Sequence, residues 1–284
     1  MRIVIYGVIG YLLLVGLVWL LQRKLLYFPD PVASIQAVPW AEGKFLEPWP
    51  EAGKGFRGYV GRPFSNRMPC RGTVVVFHGN AGSARDRGYY PRALATRGYH
   101  VVLAEYPGYG GRAGEPSEAV LIQDGRETAR RALADWGGPL WLWGESLGAA
   151  VAAGVAADHT LPVAGVTLIT PWDRLTDLAQ SLYWYLPARW LLRDRYDTIA
   201  ALHHFTGLVA VLIAERDEII PARHSQRLYE ALQAPKQRWV FAGAGHNNWP
   251  ADPEAAWWNE ALEWFDRVAV EPDNAPDACG AGDF

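Results

Sequence analysis

Gly144-Glu145-Ser146-Leu147-Gly148 follows directly on the apolar run Leu140-Trp141-Leu142-Trp143 and precedes the small residues Ala149 to Gly154. The order reads as a buried strand, a sharp turn and a helix, with a serine at the apex. A serine hydroxyl is a poor nucleophile unless geometry exposes it and a base takes its proton. The two glycines have a steric role, because a side chain at either position would collide where the strand reverses into the helix. A pattern with three fixed positions also arises by chance, as an ordinary Gly-rich strand–helix turn. The strand before it and the Ala-rich helix after it favour a nucleophile elbow with Ser146 as nucleophile.

Such an elbow takes an acid and then a histidine downstream, each in a loop after a strand. Leu208 to Ala214 is a continuous apolar run, as expected of a strand covered on both faces, and it empties into Glu215-Arg216-Asp217-Glu218. Arg238 to Phe241 is the next strand and leads into Gly243-Ala244-Gly245-His246-Asn247-Asn248. Ser146 would attack, His246 would act as general base and then general acid, and Asp217 would orient the imidazole. Glu215, Glu218 and Asp173 are rival acids; Asp217 is favoured by its place just past the strand end, ahead of the helix-opening Pro221. His203-His204 lacks an accompanying Cys or carboxylate cluster at ligand spacing, so the pair reads as surface and no metal or cofactor is expected.

A tetrahedral intermediate needs donors aimed at its developing negative charge. The backbone N–H of Leu147 would supply one. The other is expected after the strand Thr73 to Phe77, in His78-Gly79-Asn80-Ala81-Gly82-Ser83, from Asn80 or its neighbour Ala81. The glycine-rich loop Tyr106 to Gly114 lacks the Gly-Lys-Ser/Thr ending of a phosphate cradle and reads as a structural turn, with Tyr109 a candidate pocket wall.

Ile3 to Leu21 carries no charge over nineteen residues, close to the length that crosses a hydrocarbon core, and Gln22-Arg23-Lys24 ends it. A cleaved signal peptide is the rival, but the apolar centre is long and no small-x-small site follows. Residues 1–24 are therefore expected to be an uncleaved transmembrane anchor that places the protein at a membrane, on a side left undetermined by Arg2 opposing Arg23 and Lys24. Because the motifs lie beyond residue 70, removal of the anchor is expected to leave an active enzyme. A net charge of −3 with scattered charges gives no basic stripe, which argues against nucleic acid as a partner. Cys70 precedes a strand and Cys279 lies in a polar tail, so two free thiols are expected.

Residues 25–55, rich in Pro and Trp, read as a linker packing through its aromatics, and 271–284 as a disordered tail. Between them, 56–270 alternates strands (56–61, 73–78, 100–106, 140–144, 163–170, 208–214, 237–241) with helices (85–97, 117–136, 146–157, 221–233, 253–267). This is an α/β pattern with a mostly parallel sheet covered on both faces. Residues 172–205 form a helical insertion, either a lid or core packing. Its Leu182-Tyr183-Trp184-Tyr185-Leu186-Pro187 stretch makes Trp184 a pocket candidate.

In these motifs the chain resembles the α/β-hydrolase superfamily, in its membrane-anchored Bem-like branch related to alpha/beta-hydrolase-domain depalmitoylases. The matching residues are Tyr27-Phe28-Pro29 after the anchor, Phe77-His78-Gly79-Asn80-Ala81-Gly82, Glu105-Tyr106-Pro107-Gly108-Tyr109-Gly110, the elbow, Leu191 to Asp197, Asp217 with Pro221, and His246-Asn247. The resemblance implies Ser146, Asp217 and His246 as a triad and Glu105 and Asp197 as structural residues. The chain departs from the branch at Asn248, where an acidic residue is frequent, and at Ala149, where a second glycine is usual. Relatives include esterases, thioesterases and serine aminopeptidases, and the fold alone does not choose among them. The expected activity is hydrolysis of a carboxylic ester or thioester, in a small-molecule or lipid-like acyl substrate or an acylated protein, through an acyl-enzyme. A peptidase would need a charged clamp for a substrate terminus, for which Glu145 is the nearest candidate. A non-catalytic membrane-bound binding protein would have lost triad members, and all three are here.

Overall fold

A computed structural model describes residues 1–30, 35–41, 43–50, 55–62 and 69–269. The chain opens with α1 (Arg2–Leu26), a helix long and apolar enough to cross a membrane. At a rise of about 1.5 Å per residue it is roughly 37 Å long. β1 (Phe28–Pro29), β2 (Val38–Ala41) and β3 (Lys44–Trp49) follow. The alternating core then runs β4 (Gly58–Gly61), β5 (Gly72–Phe77), β6 (Ala81–Gly82), α2 (Tyr89–Leu94), β7 (Tyr99–Ala104), α3 (Glu118–Trp136), β8 (Leu140–Glu145), α4 (Leu147–Ala156) and β9 (Val163–Ile169). Three helices, α5 (Leu175–Leu182), α6 (Ala188–Leu191) and α7 (Thr198–Leu202), separate β9 from β10 (Leu208–Ala214). The described chain ends with α8 (Arg223–Ala231), β11 (Lys236–Phe241) and α9 (Ala256–Ala269).

Nine strands form one sheet in the order β11-β10-β9-β8-β5-β7-β4-β3-β2. The six from β11 to β7 are parallel; β4, β3 and β2 add antiparallel at one end. β8 shows why both faces must be covered. Leu140 and Leu142 belong to the core on one side of the sheet, Trp141 and Trp143 to the core on the other. That second side accounts for much of the tryptophan. Trp143 stacks on Trp258 of α9 with centroids 5.5 Å apart, and Trp141 packs against Phe265. Burial of such rings supplies a large apolar area per residue.

Two expectations are corrected here. Residues 25–55 are not simply a linker: Phe28 and Pro29 pair with Ala81 and Gly82, and β2 and β3 extend the main sheet. Leu46 and Trp49 are the buried residues of β3, in the cores on opposite sides of the sheet, and the Trp49 indole N–H donates to Asp135 on α3 at 2.9 Å. Cys70 is in a disulfide rather than a free thiol. Cys279 and the expected tail, 271–284, lie outside the described residues.

Candidate active site

The elbow requires its glycines. A Cβ on Gly144 would stand 2.1 Å from the Gly148 carbonyl oxygen, and one on Gly148 would stand 2.0 Å from that of Phe77. Between them Ser146 takes φ +52°, a left-handed conformation that L residues adopt only under constraint. The Ser146 N–H donates to the Ile169 carbonyl at 2.9 Å, tying the strained turn to β9. The serine thus stands at the carboxyl end of the central strand β8, where ligands bind in open parallel sheets.

His246 Nε2 lies 3.0 Å from Ser146 Oγ, and His246 Nδ1 lies 2.7 Å from Asp217 Oδ2. Asp217 Oδ1 accepts the backbone N–H groups of Ile219 (2.9 Å) and Ile220 (2.7 Å), which leaves Oδ2 for the imidazole. With Nδ1 donating to the carboxylate, Nε2 presents its lone pair to the hydroxyl. The rival acids have other partners. Glu215 accepts the Gly243 N–H at 2.8 Å, and Glu218 accepts the His246 N–H at 3.2 Å. Both therefore hold the histidine loop. Asn248 does the same through Gly245, whose N–H its side-chain oxygen accepts. An uncharged residue at that departure from the branch pattern still braces the loop.

Asp173 pairs with a different histidine, 2.7 Å from His224 Nδ1, and with Arg227 at 2.9 Å. Burial disfavours its charge, but the hydrogen bonds from His224 and the Arg174 N–H, with the Arg227 charge, outweigh that and hold its carboxyl below the ordinary range. His224 Nε2 in turn lies 3.2 Å from Ser181 Oγ, a second acid–histidine–serine chain. Ser181 sits within α5, donates its own proton to the Leu178 carbonyl at 2.9 Å and accepts from Arg223 at 3.2 Å, so this chain joins α8 to the insertion and does not hand the serine proton to the histidine.

A cavity of about 500 Å³ opens over Ser146. Gly79, Asn80, Leu147 and His246 line it with Ser146, which brings the two candidate oxyanion residues, Asn80 and Leu147, to the same space. Leu147 is the first residue of α4, where the helix leaves N–H groups without intrahelical acceptors. Asn80 is clamped: its carbonyl accepts the Phe28 N–H and the Tyr109 hydroxyl, both at 2.9 Å, and its side-chain amide donates to the Leu26 carbonyl at 3.0 Å. Beneath it, buried Glu105 lies 2.9 Å from His78 Nε2 and accepts the Ala84 N–H at 3.0 Å. Asp197, for its part, caps α7 by accepting the Ala200 N–H.

Two pocket candidates are corrected. Tyr109 is fully buried behind the loop, where its ring packs edge-on to His78 and its hydroxyl holds Asn80. Trp184 is 79% exposed and does not line the cavity. The helix ends at Leu182, so residues 183–186 turn instead of continuing its face, and Trp184 points outward.

Sequence reasoning missed two other parts of the site. Leu26, the last residue of α1, and Phe28 of β1 line the cavity, so the site does not lie wholly beyond residue 70. Their sequence signal is the Tyr27-Phe28-Pro29 motif after the apolar helix. Arg87 also lines it, donating to Glu145 at 3.0 Å, while the Tyr89 hydroxyl donates to the other Glu145 oxygen. Burial works against the Arg87 charge, but Glu145 and the neighbouring tyrosines outweigh it and raise its pKa above the ordinary value. His203 and His204 are exposed.

The family model described as Serine aminopeptidase, S33 matches residues 68–195. That span contains Ser146 and stops before Asp217 and His246. The uncharacterized protein Rv2307c of Mycobacterium tuberculosis is 36% identical over 248 residues, covering 84% of this chain and 83% of its own length. Lysophosphatidylserine lipase ABHD12 of Danio rerio is 28% identical over 207 residues, covering 66% of this chain and 53% of its own. Among solved structures, the Pyrococcus furiosus esterase PF2001 is similar with a TM-score of 0.61 and 14% identity, over 85% of this chain and 97% of that one. The Paleococcus ferrophilus monoacylglycerol lipase gives 0.53 and 20% identity, over 70% and 95%. With its parallel sheet, its elbow after the central strand and these relatives, the chain belongs to the α/β-hydrolase superfamily, in one family with Rv2307c.

Proposed function

We propose that the protein is a membrane-anchored serine hydrolase that cleaves carboxylic ester or thioester bonds of lipid-like acyl substrates through an acyl-enzyme. The observation that carries this reading is the unbroken chain Asp217–His246–Ser146, ending in a hydroxyl at the floor of a cavity. Ser146 Oγ attacks the acyl carbonyl while His246 Nε2 takes its proton, and Asp217 stabilises the imidazolium. The N–H groups of Leu147 and Asn80 receive the developing oxyanion. His246 then returns the proton to the leaving alcohol or thiol. Water, activated by the same imidazole, releases the acid and frees the serine.

The lipase activity named for ABHD12 supports an ester substrate. The aminopeptidase description of the family model raises the peptidase alternative, for which the candidate clamp was Glu145. Both Glu145 oxygens are engaged by Arg87 and Tyr89, so no free carboxylate is offered to a substrate amine. α1 supplies the anchor in this reading, and its polar end at Gln22 to Lys24 meets the headgroups.

A fluorophosphonate probe tests the chemistry, since it reacts with an activated serine. The full-length protein should take one label that Ser146→Ala abolishes. Labelling that persists in Ser146→Ala, or none in the wild type, overturns the proposal.

A further inference from the structure

α1 does not stand away from the domain. Gln22, buried although it lies on this apolar helix, donates to the Leu191 carbonyl at 3.2 Å and accepts the Arg193 N–H at 2.7 Å. Half-way along the helix, the Tyr11 hydroxyl donates to the Tyr185 carbonyl at 2.9 Å. The Arg193 guanidinium lies over the Trp19 ring at 3.8 Å. Tyr11 to Gln22 is about 16 Å of helix, roughly half the thickness of a hydrocarbon core. If α1 spans a bilayer, the segment from α5 to α6 therefore reaches into one leaflet beside it.

The surface of that segment fits the location. Trp184 and Trp190 are 79% and 82% exposed, with Tyr183 and Tyr185 half exposed beside them, a cluster unsuited to water and suited to the membrane interface. Irregular backbone at membrane depth must have its polar groups satisfied within the protein. Here the Tyr185, Leu186 and Leu191 carbonyls accept from Tyr11, Gln180 and Gln22. Two polar side chains of α1, Tyr11 and Gln22, hydrogen-bond the insertion's backbone, and a third, Arg23, pairs with its Asp194 at 3.0 Å.

Between the two elements runs a mainly apolar groove of about 560 Å³, with α1 from Leu14 to Leu26 as one wall and α5 and α6 as the other. Leu26, Phe28, Leu175, Leu178 and Leu182 line both this groove and the cavity over Ser146, so the two adjoin across these side chains.

We propose that the α5–α6 segment of the insertion lies within one leaflet against α1, and that the groove between them admits the single acyl chain of a membrane-resident monoacyl lipid, leading its ester to Ser146. This rests on the serine-hydrolase reading above. One groove takes one chain, and its long axis along α1 parallels the acyl chains of the leaflet. The anchor helix is then half of the acyl-binding site.

Ala179 and Val18 line the groove but not the cavity, and they come from opposite walls. The full chain would be reconstituted in phosphatidylcholine–phosphatidylglycerol vesicles and assayed on p-nitrophenyl laurate and acetate, and on monooleoylglycerol. Ala179→Trp and Val18→Trp should each lower the laurate-to-acetate ratio of kcat/KM at least ten-fold, with monooleoylglycerol hydrolysis falling alongside laurate. Ratios equal to the wild type in both variants overturn the groove. A wild type that hydrolyses no ester and takes no fluorophosphonate label overturns the underlying reading instead. Independently of activity, a nitroxide on Trp184→Cys, read against wild-type protein carried through the same labelling, should be relaxed by oxygen more than by a water-soluble nickel chelate. The reverse order would place the insertion in water and overturn its membrane location.

Discussion

Phe28 donates its backbone N–H to the Asn80 carbonyl at 2.9 Å, directly joining the end of the apolar helix to a proposed oxyanion residue. The Leu26 carbonyl completes the clamp by accepting the Asn80 side-chain amide at 3.0 Å. The apolar helix and the proposed chemistry are thus one hydrogen bond apart, although Phe28 and Asn80 are 52 positions apart in sequence.

Two truncations follow from that clamp. Removing residues 1–24 leaves Leu26 and Phe28 in place, so p-nitrophenyl acetate should still be hydrolysed, within a few-fold of wild type. Removing residues 1–30 takes away the Phe28 and Leu26 contacts and frees the loop that carries Asn80. Loss of one oxyanion donor costs about 10²–10³ in kcat, and a loosened donor should cost at least 10-fold of that. Steady-state kinetics on acetate compare the two; equal rates would show that the clamp is dispensable.

The two buried aspartates should separate activity from stability. Asp217→Asn keeps the shape of the loop but disturbs the imidazole's tautomer, and kcat should fall by about 10³–10⁴ with little change in Tm. Asp173→Asn should do the reverse, costing about 1–3 kcal/mol of stability through its bonds to His224 and Arg227 while kcat changes less than a few-fold. The folded-state pKa of Asp173 is depressed below the unfolded value of about 3.9. Its stabilisation is therefore complete above that value and is lost as pH falls through the lower folded pKa. The Tm gap between wild type and Asp173→Asn should be constant from neutral pH to about 5 and close on further acidification. A reversed ranking of the two variants would reassign the triad acid.

Much of this architecture is legible in the sequence because its signals are local. Leu140 to Trp143 form a short continuous apolar run, as a strand covered on both faces does, and the loops holding Asp217 and His246 begin where apolar runs end. What was hidden has physical causes. β2 and β3 contain Pro39 and Pro48, which argue against strands, yet both lie near the sheet edge, where a missing N–H is tolerated. α1 is apolar all round, so no stripe announces which side meets the insertion. Trp184 is a pocket candidate from its place in an aromatic stretch of the insertion, but composition does not show that the helix ends at Leu182 and turns the residue outward. Contacts such as Phe28 with Asn80 or Gln22 with Leu191 join segments with no shared periodicity, and only the folded chain brings them together.

The glycines of the site divide by what surrounds them, and the division is measurable. Gly148 lies so close to β5 that an added Cβ would fall 2.0 Å from the Phe77 carbonyl oxygen, and neither backbone can yield without displacing the elbow. Gly148→Ala should therefore cost about 3 kcal/mol or more, the upper end of what overpacking usually costs, and yield little folded protein. Gly79 lines the same cavity, but its nearest neighbours to an added Cβ are the Glu145 carbonyl oxygen and Ser146 Cβ, both at 3.8 Å, an ordinary van der Waals contact. Gly79→Ala should fold with a Tm close to wild type, and any loss should appear in KM as the methyl narrows the space over Ser146. Thermal melts of the two variants decide the point. Similar destabilisation of both would mean that the elbow relaxes more readily than its contacts indicate, and that the steric demand for Gly148 is weaker than argued.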